Sequence, residues 1–331
     1  MGARLAARNK ERTVTFDLAG KRVWVAGHRG MVGSALLRRL ANEDCEVLTV
    51  GRERVDLRCQ ADVEAWMVEV RPDAVLVAAA TVGGIYANST RPAEFLYDNL
   101  ALETNIIEAA RHSGVAKLLF LGSSCIYPRD ADQPMAESAL LSGPLEPTNE
   151  WYAIAKIAGL KLCDAYRRQY GCDFISAQPT NLYGINDNFD LRQSHALPAL
   201  LRKVHEAKAR GKPNFEVWGT GTPKREFLYV DDLADALVHL MKVYSDEGPV
   251  NVGTGEEVTI RELAERVAET VGFDGDLVFL ADKPDGTPRK LVDNSLLASL
   301  GWHAETDLAE GLRKTYAWYL ESVAPGLMAA K

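Results

Sequence analysis

Residues 22–40 read RVWVAGHRGMVGSALLRRL, an apolar run, a glycine-rich turn and an amphipathic segment in direct succession. The apolar run predicts a buried parallel strand, and the segment after the turn predicts a helix. Gly27, Gly30 and Gly33 permit a tight turn and bring backbone N–H groups at the helix N-terminus close to a pyrophosphate. Their spacing departs from the usual G-x-G-x-x-G, so a glycine-rich turn without a ligand is the alternative. The order strand, turn and helix favours a dinucleotide-binding unit.

Apolar runs and helical segments continue to alternate along the next hundred residues. Strands are predicted at 46–50, 73–80 and 118–121, with a long helix at 92–112 between the last two. This alternation predicts an α/β protein with a Rossmann-like, doubly wound parallel sheet. We expect the helix to contribute only core or helix-bundle packing, through the apolar face formed by Leu96, Leu100, Ile106, Ile107 and Ala110.

The side chains with the clearest chemistry follow the strand at 118–121. Ser123 lies in the loop after this strand, at the edge where open parallel sheets bind their ligands. Tyr152 and Lys156 are spaced i,i+4, so a helix presents both on one face. A hydroxyl, a phenol and an ammonium group together can polarise a carbonyl and protonate its oxygen. Tyr-x-x-x-Lys alone is a weak signal, but after a glycine-rich turn and a strand–serine loop it strongly indicates this chemistry.

The end of the second predicted strand bears on the choice between NADPH and NADH. Arg52 follows this strand almost directly, and an arginine suits the 2′-phosphate of NADPH, with help from Arg29. A carboxylate at the strand end would instead hold the ribose hydroxyls of NADH. Glu53 lies one position later in the chain than such a carboxylate would, so NADH remains an alternative. The sequence therefore favours NADPH.

Length and composition are those of an ordinary globular protein. The chain has 331 residues, enough for about two domains, and its formal net charge of −8 argues against a nucleic-acid-binding surface. The five cysteines have no disulfide-like or CxxC spacing, and no apolar run resembles a signal peptide or is long enough to span a bilayer. We therefore expect a cytosolic protein with reduced thiols and no metal, nucleic-acid or membrane partner.

Several motifs together carry a family resemblance. The G-x-x-G-x-x-G turn, the Ser123 loop and Tyr152-x-x-x-Lys156 resemble those of the extended short-chain dehydrogenase/reductases that act on nucleotide sugars. Over residues 22–319 the chain is similar, more narrowly, to the GDP-L-fucose synthases, the 3,5-epimerase/4-reductases of GDP-4-keto-6-deoxy-D-mannose. The motifs that carry this similarity are AGHRGMVGSA, LGSSCIYP, EPTNEWYAIAKIAG, PTNLYG, SHALPALLRK, VWGTGTPKREFLYVDD and KPDGTPRK.

The resemblance implies roles for individual residues. Ser123 would hydrogen-bond the C4 oxygen of the sugar, Tyr152 would protonate it, and Lys156 would hold the nicotinamide ribose and lower the pKa of the tyrosine. Cys125 would be the base and His195 the acid of the epimerisation. The GDP-sugar would contact Lys203, Trp218, Arg225 and Asp285. NADP(H) would contact Gly27, His28, Arg29, Gly30, Met31, Val32, Gly33, Arg52, Leu121, Gly122, Ser124, Pro179, Thr180, Asn181 and Leu182.

The domain organisation combines the sequence pattern with this resemblance. Residues 1–20 are basic and unpatterned and are predicted to be a disordered extension. Residues 21–180 are the predicted NADP-binding Rossmann domain. The family resemblance implies that residues 227–245 also belong to this domain. Residues 181–226 and 246–325 are the predicted smaller α/β substrate domain, with the site in the cleft between the two. The family also implies a homodimer formed through the helix at 92–112 and the helix that carries the tyrosine.

Each of these assignments has an alternative. Cys125 could be an inert buried thiol, His195 a helix cap or surface residue, and Trp218 a core aromatic residue. Arg225 could form a structural salt bridge with an aspartate at 231–232. The whole chain could instead be a nucleotide-sugar 4-epimerase or 4,6-dehydratase that retains NAD, or a catalytically silent cofactor sensor. A dehydratase is expected to carry Thr and an acidic pair where this chain has Ser-Ser-Cys.

Overall fold

The structure, a computed structural model, describes residues 16–283 and 285–325. Its strands are β1 (Arg22–Ala26), β2 (Glu46–Leu48), β3 (Ala74–Val77), β4 (Lys117–Leu121), β5 (Asp173–Pro179), β6 (Asn181–Tyr183), β7 (Asn214–Trp218), β8 (Lys224–Arg225), β9 (Phe227–Tyr229), β10 (Pro249–Val252), β11 (Val258–Thr259), β12 (Asp276–Leu280) and β13 (Arg289–Lys290). Its helices are α1 (Met31–Leu40), α2 (Gln60–Val70), α3 (Ile85–Thr90), α4 (Pro92–His112), α5 (Glu150–Tyr170), α6 (Ala196–Ala209), α7 (Val230–Val243), α8 (Ile260–Val271), α9 (Ser295–Ser299) and α10 (Leu308–Ser322).

Six parallel strands form the central sheet, in the order β10-β5-β4-β3-β1-β2. The strands β1, β3 and β4 are almost wholly apolar because helices cover both faces of the sheet. Helices α2, α4 and α5 pack on one face, whereas α1 and α7 pack on the other. The predicted doubly wound α/β fold is therefore confirmed.

The strands β6–β9 and β11–β13 and the helices α6, α8 and α10 form a smaller α/β part around a third core, whereas α9 packs on the core of the large sheet. β7 pairs with β12, and β8 lies between β11 and β13. Helices α6, α8 and α10 bury their apolar faces in this core, through side chains that include Leu201, Val204, Leu263, Val267 and Leu312. Among the described residues, none of the helices is both long and apolar enough to cross a membrane.

The edge strand β10 of the large sheet corrects the predicted division of the chain. It falls within the predicted substrate segment 246–325, yet it pairs with β5. Asn251 of β10 accepts a 2.6 Å hydrogen bond from the Tyr127 hydroxyl and donates to the carbonyl oxygens of Met135, at 2.9 Å, and Asp293, at 3.0 Å. These buried hydrogen bonds fix the strand on the large sheet. The other predicted boundaries stay predictions.

The predicted disordered extension falls mostly on residues 1–15, which lie outside the described residues. For residues 16–20 the prediction is wrong. Leu18 is buried in the core beneath α1 and α7, and the backbone N–H of Phe16 donates a 3.3 Å hydrogen bond to the carbonyl of Lys242. Burial of two apolar side chains stabilises this contact.

Candidate active site

The turn between β1 and α1 depends on two sterically required glycines. Gly27 has a φ of +88°, and a Cβ on it would lie 2.6 Å from the backbone of Ala79. A Cβ on Gly33 would lie 2.1 Å from the carbonyl oxygen of Gly27. A Cβ on Gly30 would meet only that same oxygen, at an ordinary 3.5 Å, so this glycine leaves space outside the turn. It precedes the first residue of α1, whose first turn has no acidic side chain, and the site therefore fits a diphosphate.

Two arginines near this turn differ in their partners. Arg29 forms a bidentate ion pair with Glu53, with N–O distances of 2.7 and 2.9 Å. Arg52 is exposed and, in the described part of the chain, forms no ion pair with a carboxylate. Glu53 is thus engaged by Arg29, whereas the guanidinium of Arg52 is available to a phosphate. This arrangement fits a 2′-phosphate better than a free ribose hydroxyl.

The loop with Ser123 is held by a side chain of the neighbouring strand β5. The Ser123 N–H donates a 2.8 Å hydrogen bond to the side-chain oxygen of Gln178, which is fully buried. A Cβ on Gly122 would lie 1.9 Å from this oxygen. The side-chain amide of Gln178 can therefore reach the loop only because residue 122 is a glycine. The Ser123 Oγ accepts a 3.2 Å hydrogen bond from the N–H of Cys125. The hydroxyl proton of Ser123 therefore remains available for a ligand oxygen.

Helix α5 brings Tyr152 and Lys156 together, as their spacing predicts. The Nζ of Lys156 lies 5.9 Å from the ring centre of Tyr152 and 4.6 Å from that of Phe120. Burial raises the pKa of Tyr152, and the negative charges of Cys125 and Glu103 raise it further. Burial thus opposes the lowering of this pKa that the resemblance implies for Lys156, and that lowering stays a prediction. Tyr152 keeps its proton at neutral pH, as a proton donor must.

Glu103 on α4 is a site residue that the sequence analysis missed. Its carboxylate is fully buried, and one oxygen lies 3.8 Å from the Nζ of Lys156. Burial raises the pKa of Glu103 to about 7 and lowers that of Lys156, although the charge of each group opposes the shift of the other. Helix α4 thus carries more than the packing predicted for it. The sequence signal that could have indicated this residue is an acidic side chain at a buried position of the helix, next to Leu102.

The sulfur of Cys125 has two hydrogen-bond donors, which the sequence analysis also missed. The Nζ of Lys290 lies 3.3 Å from Sγ, and the Nδ2 of Asn149 lies 3.4 Å from it. Asn149 directly precedes α5, whereas Lys290 comes from β13 in the KPDGTPRK motif. The sulfur thus has two donors within hydrogen-bond distance, one of them a cation. Cys125 is half-buried, and its role in the chemistry stays a prediction.

His195 directly precedes α6, but its side chain forms no capping hydrogen bond. The segment before it packs closely on the loop after β3, since a Cβ on Gly84 would lie 2.5 Å from the carbonyl oxygen of Ser194. The imidazole ring reaches solvent although protein surrounds it on most sides. Burial lowers its pKa, and the charge of Lys290 lowers it further. Lys290 thus lies near both Cys125 and His195.

Two cations lie side by side on the strands β8 and β13. Arg225 and Lys290 are paired in register, and paired residues of neighbouring strands point to the same face. Burial lowers the pKa of Arg225, and no carboxylate of the described residues forms an ion pair with it. The alternative of a salt bridge to Asp231 or Asp232 is wrong. Asp231 pairs with Arg38, and Asp232 accepts hydrogen bonds from the loop before α10.

Trp218, Lys203 and Asp285 lie around the end of β7. Trp218 is 64% exposed, so the alternative of a core aromatic residue is wrong. The Nζ of Lys203 lies 5.5 Å from its ring centre. Both carboxylate oxygens of Asp285 accept hydrogen bonds from Thr220, at 2.7 and 2.8 Å, which ties its loop to the turn after β7. An exposed aromatic ring beside a cation can stack with a nucleotide base.

The remaining predicted cofactor residues lie at the carboxyl ends of β4 and β5 and in β6, which is where the fold class places a ligand. The side-chain amide of Asn181 donates a 2.7 Å hydrogen bond to the carbonyl of Glu226 and is therefore engaged within the protein. The others in this group are Leu121, Gly122, Ser124, Pro179, Thr180 and Leu182.

Comparison with known proteins agrees with this geometry. Residues 23–253 match the NAD dependent epimerase/dehydratase family. The chain is 59% identical over 309 residues to a GDP-L-fucose synthase of Sinorhizobium fredii, covering 93% of this chain and 98% of the relative. It is 54% identical over 315 residues to the GDP-L-fucose synthase of Escherichia coli, covering 92% of this chain and 98% of that one.

A solved structure resembles the fold over the same length. It is a GDP-L-fucose synthetase from Naegleria fowleri bound to NADP, with a TM-score of 0.86 and 28% identity, covering 95% of this chain and 98% of that one. The family match spans more than half of the chain, and the two relatives cover 93% and 92% of it. The chain therefore belongs to the NAD dependent epimerase/dehydratase family and, within it, to the GDP-L-fucose synthases.

Proposed function

We propose that this protein converts GDP-4-keto-6-deoxy-D-mannose to GDP-L-fucose, by epimerisation at C3 and C5 followed by reduction at C4 with NADPH. The observation that carries the proposal is the surroundings of Cys125. A thiol with a cationic donor lies in the same loop as Ser123, close enough to Tyr152 to raise its pKa. A plain reductase needs the tyrosine and the serine but has no use for such a thiol.

The residues at the glycine-rich turn and at the sheet edge fit NADPH. The diphosphate would lie at the N-terminus of α1 near Gly30, the 2′-phosphate near Arg52, and the nicotinamide ribose near Lys156. When bound, NADPH supplies a hydride to C4 of the sugar.

Epimerisation needs one base and one acid on opposite faces of the sugar ring. The C4 ketone acidifies the hydrogens on C3 and C5, and the thiolate of Cys125 takes one of them. The hydroxyls of Ser123 and Tyr152 stabilise the enolate oxygen that results. His195 then gives a proton to the same carbon from the other face, which inverts the centre. Exchange with solvent resets the protons on Cys125 and His195 before the second centre reacts.

The reduction uses the other side chains of the loop and of α5. Tyr152 donates its proton to the C4 oxygen, which Ser123 holds by a hydrogen bond. The ammonium group of Lys156 stabilises the phenolate that Tyr152 becomes. Burial of Lys156 excludes water from this charge, so the electrostatic effect is larger than it would be at the surface.

The GDP part of the substrate has its own proposed contacts. Trp218 would stack with the guanine base, and Arg225 would bind the diphosphate with its guanidinium fork. Lys203 and Asp285 lie beside Trp218 and would complete this end of the site. An arginine that is partly buried and without a carboxylate partner within the described residues favours an anionic ligand over a structural role.

The alternative activities are not favoured by the loop after β4. The residues there are Ser-Ser-Cys at 123–125, without the Thr and acidic pair expected of a 4,6-dehydratase. A NAD-retaining 4-epimerase would have no use for the donors on Cys125. We further propose a homodimer formed through α4 and α5, on whose surfaces Tyr97, Trp151 and Ile154 are exposed, and a cytosolic location, which fits five free cysteines.

The proposed function has a direct test. Purified protein should oxidise NADPH only when GDP-4-keto-6-deoxy-D-mannose is present, and the product should be GDP-L-fucose by NMR. NADPH oxidation with formation of the unepimerised 4-hydroxy sugar would show that the protein is a reductase without epimerase activity. Turnover of the sugar nucleotide with NAD alone, and no net consumption of reduced cofactor, would favour the 4-epimerase instead.

A further inference from the structure

The buried carboxylate of Glu103 has no part in the chemistry described so far, yet it faces a catalytic residue. One of its oxygens lies 3.8 Å from the Nζ of Lys156, and the side chain is 0% exposed. Neither oxygen has a hydrogen-bond partner within the described ranges, although the backbone of Gly159 lies close enough to favour the charged form. A buried carboxylate of this kind is destabilising unless an opposite charge compensates it. Lys156 supplies that charge.

The space between α4 and α5 is shaped for this pair. A Cβ on Gly159 would lie 2.9 Å from the carboxyl carbon of Glu103 and 2.5 Å from the Cζ of Phe120. The glycine therefore lets the carboxylate and the aromatic ring approach α5 together. The face of the Phe120 ring lies 4.6 Å from the Nζ of Lys156 on a second side. The ammonium group thus has a carboxylate and an aromatic face as neighbours.

Helix packing alone does not account for a carboxylate at this position. The neighbouring buried positions of α4 carry apolar side chains such as Leu102 and Ile106, which pack without loss of hydration. An apolar residue in place of Glu103 would avoid the cost of removing a charge from water. The carboxylate is therefore better explained by what it does to Lys156.

We propose that Glu103 is the counter-ion of Lys156 and acts as a positioning residue for the reduction, a role that rests on the proposed function. Its charge keeps the buried ammonium group protonated and holds it beside Tyr152. When Tyr152 gives its proton to the C4 oxygen, this ammonium group stabilises the phenolate. No bond to Glu103 forms or breaks in the reaction.

The other titratable groups around the pair do not replace Glu103. Tyr152 and Cys163 face it from α5, and Cys125 lies in the loop after β4. None of these is a cation, and the pKa of Lys156 is lowered by burial and raised only by Glu103. Without the carboxylate, burial acts unopposed and this pKa falls further. The reduction requires the charged ammonium group and is lost as the pH rises through the pKa of Lys156, so its loss moves to lower pH.

The test uses Glu103→Gln, which keeps the shape of the side chain and removes its charge. We expect the alkaline limb of the pH profile of kcat for reduction to move down by about one unit, a tenfold loss at pH values on that limb. A second readout is the titration of the Lys156 Nζ by ¹⁵N NMR, with and without NADP⁺, which should move in the same direction. Deuterium incorporation at C3 and C5 without NADPH should change less than twofold.

A matched control lies on the same helix. Glu108 is half-buried and bonded to Arg111 and Tyr166, away from Lys156, so Glu108→Gln should move neither the pH profile nor the Lys156 titration. Glu103→Asp should restore part of the shift. An unshifted alkaline limb together with an unshifted Lys156 titration in Glu103→Gln would overturn the proposal.

One measurement needs no variant and covers the case in which Glu103→Gln fails to fold. The ¹³C titration of the Glu103 carboxyl in the wild-type protein should show a carboxylate over the alkaline limb of the pH profile of the reduction. A carboxyl group that stays protonated throughout this range would overturn the proposal. Failure of the wild-type protein to reduce the keto sugar would instead reject the proposed function, and the two titrations would still test the ion pair.

Discussion

In the proposed mechanism Tyr152 and Lys156 form the reduction side of the site, and Cys125, His195 and Lys290 form the epimerisation side. The two sides are built in different ways. The reduction side lies on one face of α5, and its lysine is buried. The epimerisation side comes from the loop after β4, the start of α6 and β13, and its imidazole ring reaches solvent. Helix geometry fixes the first, whereas packing of the two parts of the molecule fixes the second. In the proposed mechanism, the steps that exchange protons with water use the open side, and the step that develops a buried charge uses the closed side.

The largest expected effect is on the reduction side. Tyr152→Phe removes the proton donor, so reduction at C4 should fall by about 10²- to 10⁴-fold. Epimerisation should fall far less, because Ser123 still holds the C4 oxygen, and epimerised but unreduced keto sugar should accumulate. NADPH oxidation and NMR of the sugar check both. Tyr166→Phe on the same helix is the control, and equal loss of both activities in Tyr152→Phe would contradict the separation of the two sides.

The next effect is on the epimerisation side. Cys125→Ser removes the base, so deuterium incorporation at C3 and C5 in D₂O without NADPH should fall by roughly 10²-fold or more. His195→Ala should retain some exchange but give little inversion, since only the acid is lost. Cys59→Ser, at an exposed cysteine, should behave as wild type. Wild-type deuterium incorporation in Cys125→Ser would return this residue to the role of a buried thiol.

A smaller effect is expected at the distant, adenosine end of the cofactor site, which belongs to neither side. Arg52→Ala removes a charge-assisted contact to the 2′-phosphate, which contributes about 1.5–3 kcal/mol, or a factor of about 10 to 150 in KM for NADPH. The KM for NADH should change little. Arg54→Ala is the matched control, since Arg54 is paired with Glu69. Equal increases for both cofactors would remove the basis for the NADPH preference.

The smallest effect tests whether the epimerisation side depends on β13. Lys290→Met removes the cation next to the thiolate, and the loss of one charged hydrogen bond, about 1.5 kcal/mol, corresponds to roughly tenfold slower deuterium exchange. Reduction of an already epimerised keto sugar should keep its kcat. Arg225→Met, on the neighbouring strand, should instead raise KM for both steps. A raised KM with an unchanged rate of deuterium exchange at saturating substrate in Lys290→Met would indicate that this lysine only contacts the substrate.

The difference between the two sides also explains what could be predicted from the sequence. The i,i+4 spacing of Tyr152 and Lys156 is a local property of one helix, and the glycine-rich turn is a local property of β1 and α1. Both are therefore visible in a single stretch of sequence, and so is the alternation that gives the sheet. Steric requirements at Gly27 and Gly33 show why the turn tolerates little change.

The contacts that the sequence did not reveal join distant segments. Glu103 meets Lys156 across two helices, and Lys290 meets Cys125 across 165 residues. Such contacts depend on tertiary packing, which periodicity and spacing do not report. The burial that raises the pKa of Tyr152 is likewise a property of tertiary packing.

The side chain of Asn251 in the edge strand β10 couples the opening of several segments of the chain, which the two-part architecture does not suggest. A single buried amide side chain joins Tyr127, Met135 and Asp293 to the large sheet. Asp293 is three residues beyond Lys290, so local opening of this junction would withdraw the lysine from the thiolate while also freeing the sheet edge. We therefore expect the two parts of the chain to open together, so that heating abolishes epimerisation and reduction in a single transition.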